Sequence, residues 1–312
     1  MEGGKDACTD YNVTDVFTGK PMRTFFRDTQ IHISAAVVYG LQKYTAYTGD
    51  DSLRRSGGAQ VVLECARFSM SLMSKRILNS TYDLLDVMGP DEYHEHVNNN
   101  AYTNEMARMT LRYAVEVCRL YLPDTTVQEL DAFLDAAEHL KRQAPNPKTG
   151  VIEQFDGYFK LGDVLVPQVR SMLLDPREYW GGAYGVASQT QVIKQPGVMA
   201  LLYMLGQYPA SVIAANYGYY EPRTEHGSSL SACMYSLCAC AINRPDVAYP
   251  LFLKSAEAGI QGGGKQWAGL VYMDGTHPAA AGGRPIISAA LKNTSGSGLE
   301  WVMQLPSATA SK

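Results

Sequence analysis

The feature that most limits how this chain can fold is a succession of segments with apolar residues at helical spacing. The first covers residues 28–48, "DTQIHISAAVVYGLQKYTAYT", and stops at Gly49, a residue type that often ends helices. The second covers residues 51–73, with Gly57 and Gly58 as weak points inside it. Because a helix with one apolar face must bury that face, these segments predict a fold of packed helices.

Further segments of the same kind follow along the chain. Residues 104–122 form the third, and residues 126–142 form the fourth, which a capping box of Thr126 and Glu129 would start. Five more helices are predicted at residues 198–207, 209–216, 229–242, 245–258 and 279–291. Between the two groups, "GVIEQFDGYFK", residues 150–160, has a strand-like pattern and predicts a small β-hairpin insertion.

The predicted helices form pairs joined by short turns, and the pairs are separated by long loops rich in polar and aromatic residues. No strict repeat of the kind found in consensus solenoids is visible. Helix pairs that close into an α/α barrel fit this alternation, because loops from one end would then meet at a single cleft. The sequence therefore predicts an all-α fold with its functional residues in the long loops.

Composition excludes several classes of function. The chain has 312 residues, 46% of them hydrophobic and 19% charged, which is an ordinary globular balance. A net charge of -4 gives no basic surface of the kind that nucleic acids require. No apolar run reaches the roughly 18 residues of a membrane span, and the first residues lack the pattern of a signal peptide, so we expect a cytoplasmic protein. The six cysteines show no CxxC pair, which predicts free buried thiols and no metal site.

The long loops carry side chains typical of sugar and anion sites. Aromatic faces stack on sugar rings, and amides, carboxylates and amines hydrogen-bond hydroxyl groups. Four loops hold most of these side chains: residues 89–104, "GPDEYHEHVNNNAYTN"; 153–159, "EQFDGYF"; 178–195, "EYWGGAYGVASQTQVIKQ"; and 219–231, "YYEPRTEHGSSLS". A fifth segment, residues 274–283, is "DGTHPAAAGG". No phosphate-binding P-loop, dinucleotide fingerprint or nucleophile elbow is present.

Two of these patterns allow more than one interpretation. Ser228 and Ser229 precede a predicted helix, where their hydroxyls and the backbone N–H groups would bind an anion, but two serines there also suit a simple N-cap. Residues 98–100, three asparagines, would either bind a sugar or form an Asx-type turn into the next helix. Both interpretations remain open at this level.

Several motifs together resemble a known family. "VMGPDEYHEHVNNNAYTNEMA", "TQVIKQ", "RTEHGSSLS" and "GTHPAAAGG", in this order, resemble the catalytic domain of glycoside hydrolase family 65, the inverting phosphorylases of maltose, kojibiose, nigerose or trehalose. The resemblance covers roughly residues 18–306. It implies an (α/α)6 barrel, in agreement with the paired helices, and a chain that forms one partial barrel domain over residues 1–312, without the family's N-terminal β-sandwich and barrel start.

The resemblance also implies roles for individual residues. Glu92 of "GPDEYH" matches the general acid, which must keep its proton near neutral pH, a condition that the charges of Asp91 and Glu95 would favour. Lys194 and Gln195 match residues that hold the glucosyl unit. The remaining expected residues are Tyr93, His94, Asn99 and Asn100 for the sugar, and Ser228, Ser229, His277, Gly282 and Gly283 for phosphate.

We therefore expect phosphorolysis of an α-glucosyl disaccharide to β-glucose 1-phosphate, with inorganic phosphate as co-substrate, no other cofactor, and no metal. An inverting phosphorylase needs no catalytic base, because phosphate is already an anionic nucleophile. Two alternatives remain: a hydrolase of the same family, or an inactive remnant that binds carbohydrate or a partner. The remnant is favoured by the expected truncation and by departures from the family pattern at Gly197 and Arg284, and Ala36 is a further departure. A homodimer is compatible with the resemblance.

Overall fold

The structure is a computed structural model, and it describes residues 13–227 and 229–258. The chain divides into two compact units, Met1–Ile193 and Lys194–Lys312. The expectation of a single domain over residues 1–312 therefore stays a prediction, and each unit is described by itself.

The first unit begins with a short antiparallel pair, β1 (Val13–Thr14) and β2 (Pro21–Met22), followed by α1 (Phe26–Thr29), α2 (His32–Thr48) and α3 (Ala59–Ser71). Gly49 ends α2 in the left-handed conformation, with φ of 72°, as predicted. A π-helical turn at Arg54–Gly58 precedes α3, and Gly57 within it has φ of 112°. The glycine pair thus interrupts the predicted second helix at the position that the sequence indicated.

A second hairpin and two long helices complete the helical part of this unit. Strands β3 (Met73–Lys75) and β4 (Tyr82–Leu84) pair antiparallel, and α4 (Ala101–Tyr121) and α5 (Val127–His139) follow. Thr126 caps α5 by accepting a hydrogen bond from the backbone N–H of Glu129. The carboxylate of Glu129 binds Arg67 of α3 at 2.6 Å and so joins two helices.

Helix α4 lies at the centre of the first unit, because it packs against α2, α3 and α5. Fifteen of its residues are buried, among them the charged Glu105 and Arg108, which lie 3.3 Å apart. A helix buried on nearly all sides is held firmly by its neighbours. The loop of residues 85–100, which leads from β4 into α4, is therefore attached at its end to the central packed helix of the unit.

The strand-like patch at residues 150–160 is not a strand, so this detail of the prediction is wrong. The chain forms a turn with Gly157 at φ of 89° and a 3-10 turn at Tyr158–Lys160. The carboxylate of Glu153 accepts the backbone N–H of Gly157 and so replaces a strand partner. Among the described residues, the antiparallel pairs are instead β1–β2 and β3–β4. A short helix that the sequence did not predict, α6 (Val166–Ser171), follows.

The second unit contains four helices among its described residues: α7 (Gly197–Leu205), α8 (Ala210–Tyr220), α9 (Ser229–Ala241) and α10 (Pro245–Ala258). Helix α9 packs against the other three. These elements confirm four predicted helices to within a few residues, while the prediction at residues 279–291 lies outside the described residues. Over the described part of the chain, no helix is both long and apolar enough to cross a membrane.

Candidate active site

Glu92 lies in the loop between β4 and α4, and its backbone is fixed by the loop of residues 178–191. The Tyr179 hydroxyl donates a hydrogen bond of 2.9 Å to the Glu92 carbonyl oxygen. Gly181 packs directly on this backbone, because a Cβ at that position would come within 2.9 Å of the Glu92 carbonyl and 2.8 Å of Cα of Tyr93. The Glu92 side chain itself is partly buried. The general-acid candidate thus sits on a braced segment.

A cavity of about 430 Å³ lies beside this segment. Its volume falls in the range of roughly 300–1,000 Å³ that small-molecule sites occupy. The wall includes residues on both sides of the Glu92 segment and from the facing loops: Phe25, Tyr93, His94, Glu95, His96, Phe155, Gly182 and Gln189. Glu92 is not among the described residues that line it. Aromatic rings and carboxylate and imidazole groups in one wall match the chemistry of a sugar site.

Tyr93 and His94 both contribute to this wall while being almost fully buried. The ring of Tyr93 stacks on Trp180, with centroids 6.0 Å apart. Nδ1 of His94 lies 2.6 Å from the carboxylate of Asp91, and Nε2 lies 2.8 Å from the carbonyl oxygen of Thr190. Both ring nitrogens of His94 therefore have protein partners. Its sugar-binding role stays a prediction, and ring carbons are what it offers to the cavity.

Asn99 is a structural centre of the loop. It is fully buried, and its amide nitrogen donates to Asp83 and Asp156, both at 2.8 Å. Its amide oxygen accepts hydrogen bonds from the Leu84 backbone and from Asn104. The pKa values of Asp83 and Asp156 are lowered, because hydrogen bonds from Asn99 and neighbouring cations outweigh the raising effect of burial. The structure gives no support to the predicted sugar contact of Asn99.

Asn100 caps α4 and is 2% exposed. Its side-chain oxygen accepts the backbone N–H of Thr103 at 3.1 Å. This is the turn into a helix that the sequence left open as an alternative to sugar binding. Its predicted contact with substrate, like that of Asn99, has no direct structural support.

Glu95 and His96 of this loop lie at the cavity and are less buried than Tyr93 and His94. Glu95 is partly buried, and its Oε1 has no hydrogen-bond partner. Burial raises the pKa of Glu95, and the negative charge of Glu92 adds to this effect, while His96 and the Phe25 backbone N–H oppose it. His96 is exposed, with Nδ1 2.6 Å from Asp86 and its ring against Phe25. The charge of Glu92 thus contributes to the raised pKa of Glu95, and the expected effect of Asp91 and Glu95 on Glu92 stays a prediction.

In the second unit, Lys194 and Gln195 precede α7. Lys194 is partly buried, and Gln195 is 6% exposed. Pro196 and Gly197 follow them, and α7 begins at Gly197. The glucosyl-binding role of Lys194 and Gln195 stays a prediction.

The predicted phosphate site falls mostly outside the described residues: Ser228, His277, Gly282 and Gly283 lie there. Ser229 is the first residue of α9, a position where backbone N–H groups have no partners within the helix. Just before it, His226 has a left-handed backbone with φ of 55°, and burial lowers its pKa to about 4, with a further contribution from Lys254. His226 is therefore neutral near pH 7.

Sequence reasoning missed Tyr179, Gly181 and Gln154 as parts of the site. Gln154 donates from Nε2 to Asp91 at 2.8 Å. The "GG" doublet and the aromatic residues of residues 178–195 were recognised as a functional loop, but not as the support of Glu92. Within the described part of the chain, no group of three or more His, Cys, Asp or Glu residues is arranged to hold a metal ion.

Residues 4–284 match the family model described as "Glycosyl hydrolase family 65 central catalytic domain". Nigerose phosphorylase of Lachnoclostridium phytofermentans is 54% identical over 296 residues, which cover 91% of this chain and 39% of that protein. The 1,2-alpha-glucosylglycerol phosphorylase of Bacillus selenitireducens is 38% identical over 291 residues, covering 89% of this chain and 38% of that protein.

A solved structure has the same fold. It comes from the human microbiome and is assigned as a kojibiose phosphorylase, with a TM-score of 0.65 and 26% identity over 85% of this chain and 35% of that chain. This likeness confirms the predicted fold class, a partial (α/α)6 barrel of helix pairs with a small hairpin. The chain spans about two fifths of the length of the curated relatives it matches. It belongs to glycosyl hydrolase family 65, and its match lies in the central catalytic domain of that family.

Proposed function

We propose that this chain carries the general-acid part of an inverting disaccharide phosphorylase, which converts an α-glucosyl disaccharide and phosphate to β-glucose 1-phosphate and a free sugar. The observation that supports this most is the 54% identity to a nigerose phosphorylase across 91% of the chain. We take nigerose, an α-1,3-linked disaccharide, as the first substrate to test.

In this proposal Glu92 protonates the leaving oxygen as the bond to the glucosyl carbon breaks. Phosphate attacks from the opposite face, so the anomeric configuration inverts and no base is required. The cavity beside Glu92 has the volume and the aromatic wall of a sugar site. Lys194 and Gln195 orient the glucosyl unit, and Ser228, Ser229, His277, Gly282 and Gly283 hold phosphate.

The proposal also covers the cellular compartment and the oligomeric state. The described cysteines are free thiols, four of the five buried, which suits a reducing compartment, and we place the protein in the cytoplasm. Association into a homodimer is a further expectation, to be tested by sedimentation.

The test is product formation from nigerose, kojibiose, maltose and trehalose, each with and without phosphate, followed by ³¹P NMR. We expect β-glucose 1-phosphate from at least one disaccharide, only when phosphate is present. Glu92→Gln removes the acidic proton, so we expect turnover to fall by about 10³-fold or more. Arg112→Gln, which changes an exposed salt-bridge partner of Glu138, serves as the control. Sugar release without phosphate would favour the hydrolase, and sugar binding without turnover would favour the remnant.

A further inference from the structure

The hydrogen bonds around His94 require one more proton than a neutral imidazole and an ionised Asp91 provide. Nδ1 faces a carboxylate oxygen of Asp91 at 2.6 Å, and Nε2 faces the carbonyl oxygen of Thr190 at 2.8 Å. A carbonyl oxygen only accepts hydrogen bonds, so Nε2 must carry a proton. The contact with Asp91 needs a second proton, which lies either on Nδ1 or on the carboxylate.

The surroundings of Asp91 place this second proton on the ring. Oδ2 of Asp91 accepts from Gln154 Nε2 at 2.8 Å, and Oδ1 accepts from the Tyr93 backbone N–H at 3.3 Å. Donors thus address both carboxylate oxygens, an arrangement that suits the ionised form. A doubly protonated His94 beside an ionised Asp91 forms a pair with no net charge. The two side chains are 4% and 1% exposed, and burying such a pair costs far less free energy than burying either ion alone.

This pair also has a mechanical consequence. Asp91 and His94 flank Glu92 in sequence, and His94 reaches across to Thr190, in the same loop from which Tyr179 reaches the Glu92 carbonyl. The rings of Phe155 and Tyr158 close over the imidazole, with centroids 5.2 and 6.0 Å away. The backbone of Glu92 is therefore tied at two points to the loop of residues 178–191.

We propose that Asp91 and doubly protonated His94 are positioning residues, which tie the general-acid segment to the Thr190 carbonyl and so aim Glu92 at the leaving oxygen. The inference rests on the proposed role of Glu92 for its catalytic part. The proton count and the tie to Thr190 do not depend on that role.

Two substitutions at His94 separate the ties. An Asn side chain keeps a donor near the position of Nδ1 but does not reach Thr190, whereas Gln keeps a donor near Nε2 and loses the bond to Asp91. For both His94→Asn and His94→Gln we expect kcat for the disaccharide to fall by about 10²-fold with a small change in KM. A general acid contributes about this factor when it is well placed, and these variants would misplace it. His139→Asn is the matched control, because His139 forms an exposed pair with Asp135 at 2.9 Å.

A second substrate shows whether the loss concerns proton donation. α-Glucosyl fluoride releases fluoride, which needs little protonation, so its phosphorolysis should change less than about threefold in the His94 variants, since only the general-acid step is affected. Equal losses for fluoride and disaccharide would indicate general damage and overturn the positioning role. Undiminished disaccharide turnover would overturn it as well. If Glu92→Gln keeps full disaccharide turnover, the proposed function fails and the catalytic part of this inference fails with it, whereas the proton count and the tie to Thr190 are tested separately.

Asp91→Asn is the conservative variant. Its amide oxygen replaces Oδ1, and its nitrogen donates to Nδ1 of a neutral imidazole. Gln154 would turn its amide so that Oε1, which has no partner in the structure, accepts from the new nitrogen. We expect Asp91→Asn to retain most of the disaccharide turnover that Asp91→Ala loses. Equal losses in the two variants would contradict a role in positioning.

Two measurements need no turnover. ¹⁵N NMR of the imidazole rings should show protons on both nitrogens of His94 at neutral pH, and a bare ring nitrogen would overturn the proton assignment. Amide hydrogen exchange of residues 91–96 should become at least about tenfold faster in His94→Asn, because local opening follows the lost tie, and unchanged exchange would overturn the tie itself.

Discussion

The two sides of the polar loop before α4 use similar residues for different purposes. Asp91, His94, Asn99 and Asn100 point inward, are at most 4% exposed, and are hydrogen-bonded to protein groups. Glu95 and His96, from the same loop, line the cavity as the ring of His94 does, but they are more open. We call the first set the framing residues and the second the lining residues. Most polar side chains of this loop therefore hydrogen-bond protein groups and fix the loop backbone.

The reason is the shape of this backbone. Asn99 and His96 have positive φ values of 51° and 55°, so the segment follows neither a helix nor a strand. Backbone groups without a regular ladder need side-chain partners when they are buried. The framing residues supply those partners, which leaves few side chains free to meet a substrate.

The largest effect in this comparison is expected at Asn99, the framing residue with the most partners. Asn99→Ala removes four side-chain hydrogen bonds and leaves Asp83 and Asp156 with fewer donors, at a cost of about 3 kcal/mol of unfolding free energy. Urea denaturation measures this loss. Asn98→Ala is the control, since Asn98 is exposed and accepts one hydrogen bond from the Asp86 backbone. Similar losses in both variants would show that the buried hydrogen bonds of Asn99 stabilise the loop no more than one exposed hydrogen bond does.

Gly181 tests whether the opposite loop belongs to the frame. Gly181→Ala places a Cβ 2.8 Å from Cα of Tyr93, and neither backbone can move without disturbing the Glu92 segment. We expect a loss of about 2 kcal/mol, as for overpacking in a core, together with reduced turnover. Thermal unfolding and kcat report the two effects.

Gly40→Ala is the matched control for Gly181→Ala. No atom lies within 4 Å of a Cβ at Gly40, which is in the middle of α2, so the change should stabilise the protein by up to about 1 kcal/mol. A Gly181→Ala variant as stable and as active as the wild type would mean that the loop of residues 178–191 does not brace Glu92.

Tyr179→Phe should have a smaller effect. It removes one hydrogen bond to the Glu92 carbonyl, which is worth about 1 kcal/mol, and keeps the ring in contact with Tyr93. We expect a modest loss of stability and a fall in kcat that exceeds any change in KM. Tyr184→Phe, at a hydroxyl on a 95% exposed side chain of the same loop, is the control. Equal kcat values in the two variants would show that the Tyr179 hydroxyl is dispensable.

The sequence predicted the helices well, because their signals are local. Gly49 and Thr126 mark helix ends in the structure as they do in the sequence. The partial barrel and the family followed from ordered motifs rather than from single residues. The turn at residues 150–160 was misjudged because its apolar residues pack as a turn around Gly157 and not as a strand.

The division of the polar loop could not be predicted, because it depends on contacts between distant segments. Asp91 meets Gln154, and His94 meets Thr190, across 63 and 96 positions of sequence. The sequence predicted Asn99 as a sugar residue and gave Glu95 only the role of a nearby charge, whereas in the structure Asn99 is buried and Glu95 lines the cavity. The doublet at Gly181 and Gly182 was the one local sign that a backbone would come close there.

The smallest effect is expected at the lining residue Glu95, and it depends on pH. Burial raises the pKa of Glu95 above its ordinary value of 4.5, and the charge of Glu92 acts in the same direction. The folded state therefore holds this proton more tightly than the unfolded state does. The stabilisation that comes from this tighter proton binding is complete below pH 4.5 and is lost as the pH rises through the raised pKa of Glu95.

Glu95→Gln cannot ionise, so the variant should gain stability relative to the wild type above that window and gain nothing below it. Asp135→Asn should change stability with pH in the opposite direction. Hydrogen bonds from Tyr82 and Lys75 lower the pKa of Asp135, so its contribution to stability is present at neutral pH and is lost on acidification. Urea denaturation of both variants between about pH 2 and 8 resolves the two slopes, since each follows the difference in bound protons. Parallel curves of unfolding free energy against pH for Glu95→Gln and the wild type would show that Glu95 is as well solvated as an ordinary surface carboxylate. Placing its charge at the cavity would then cost no stability.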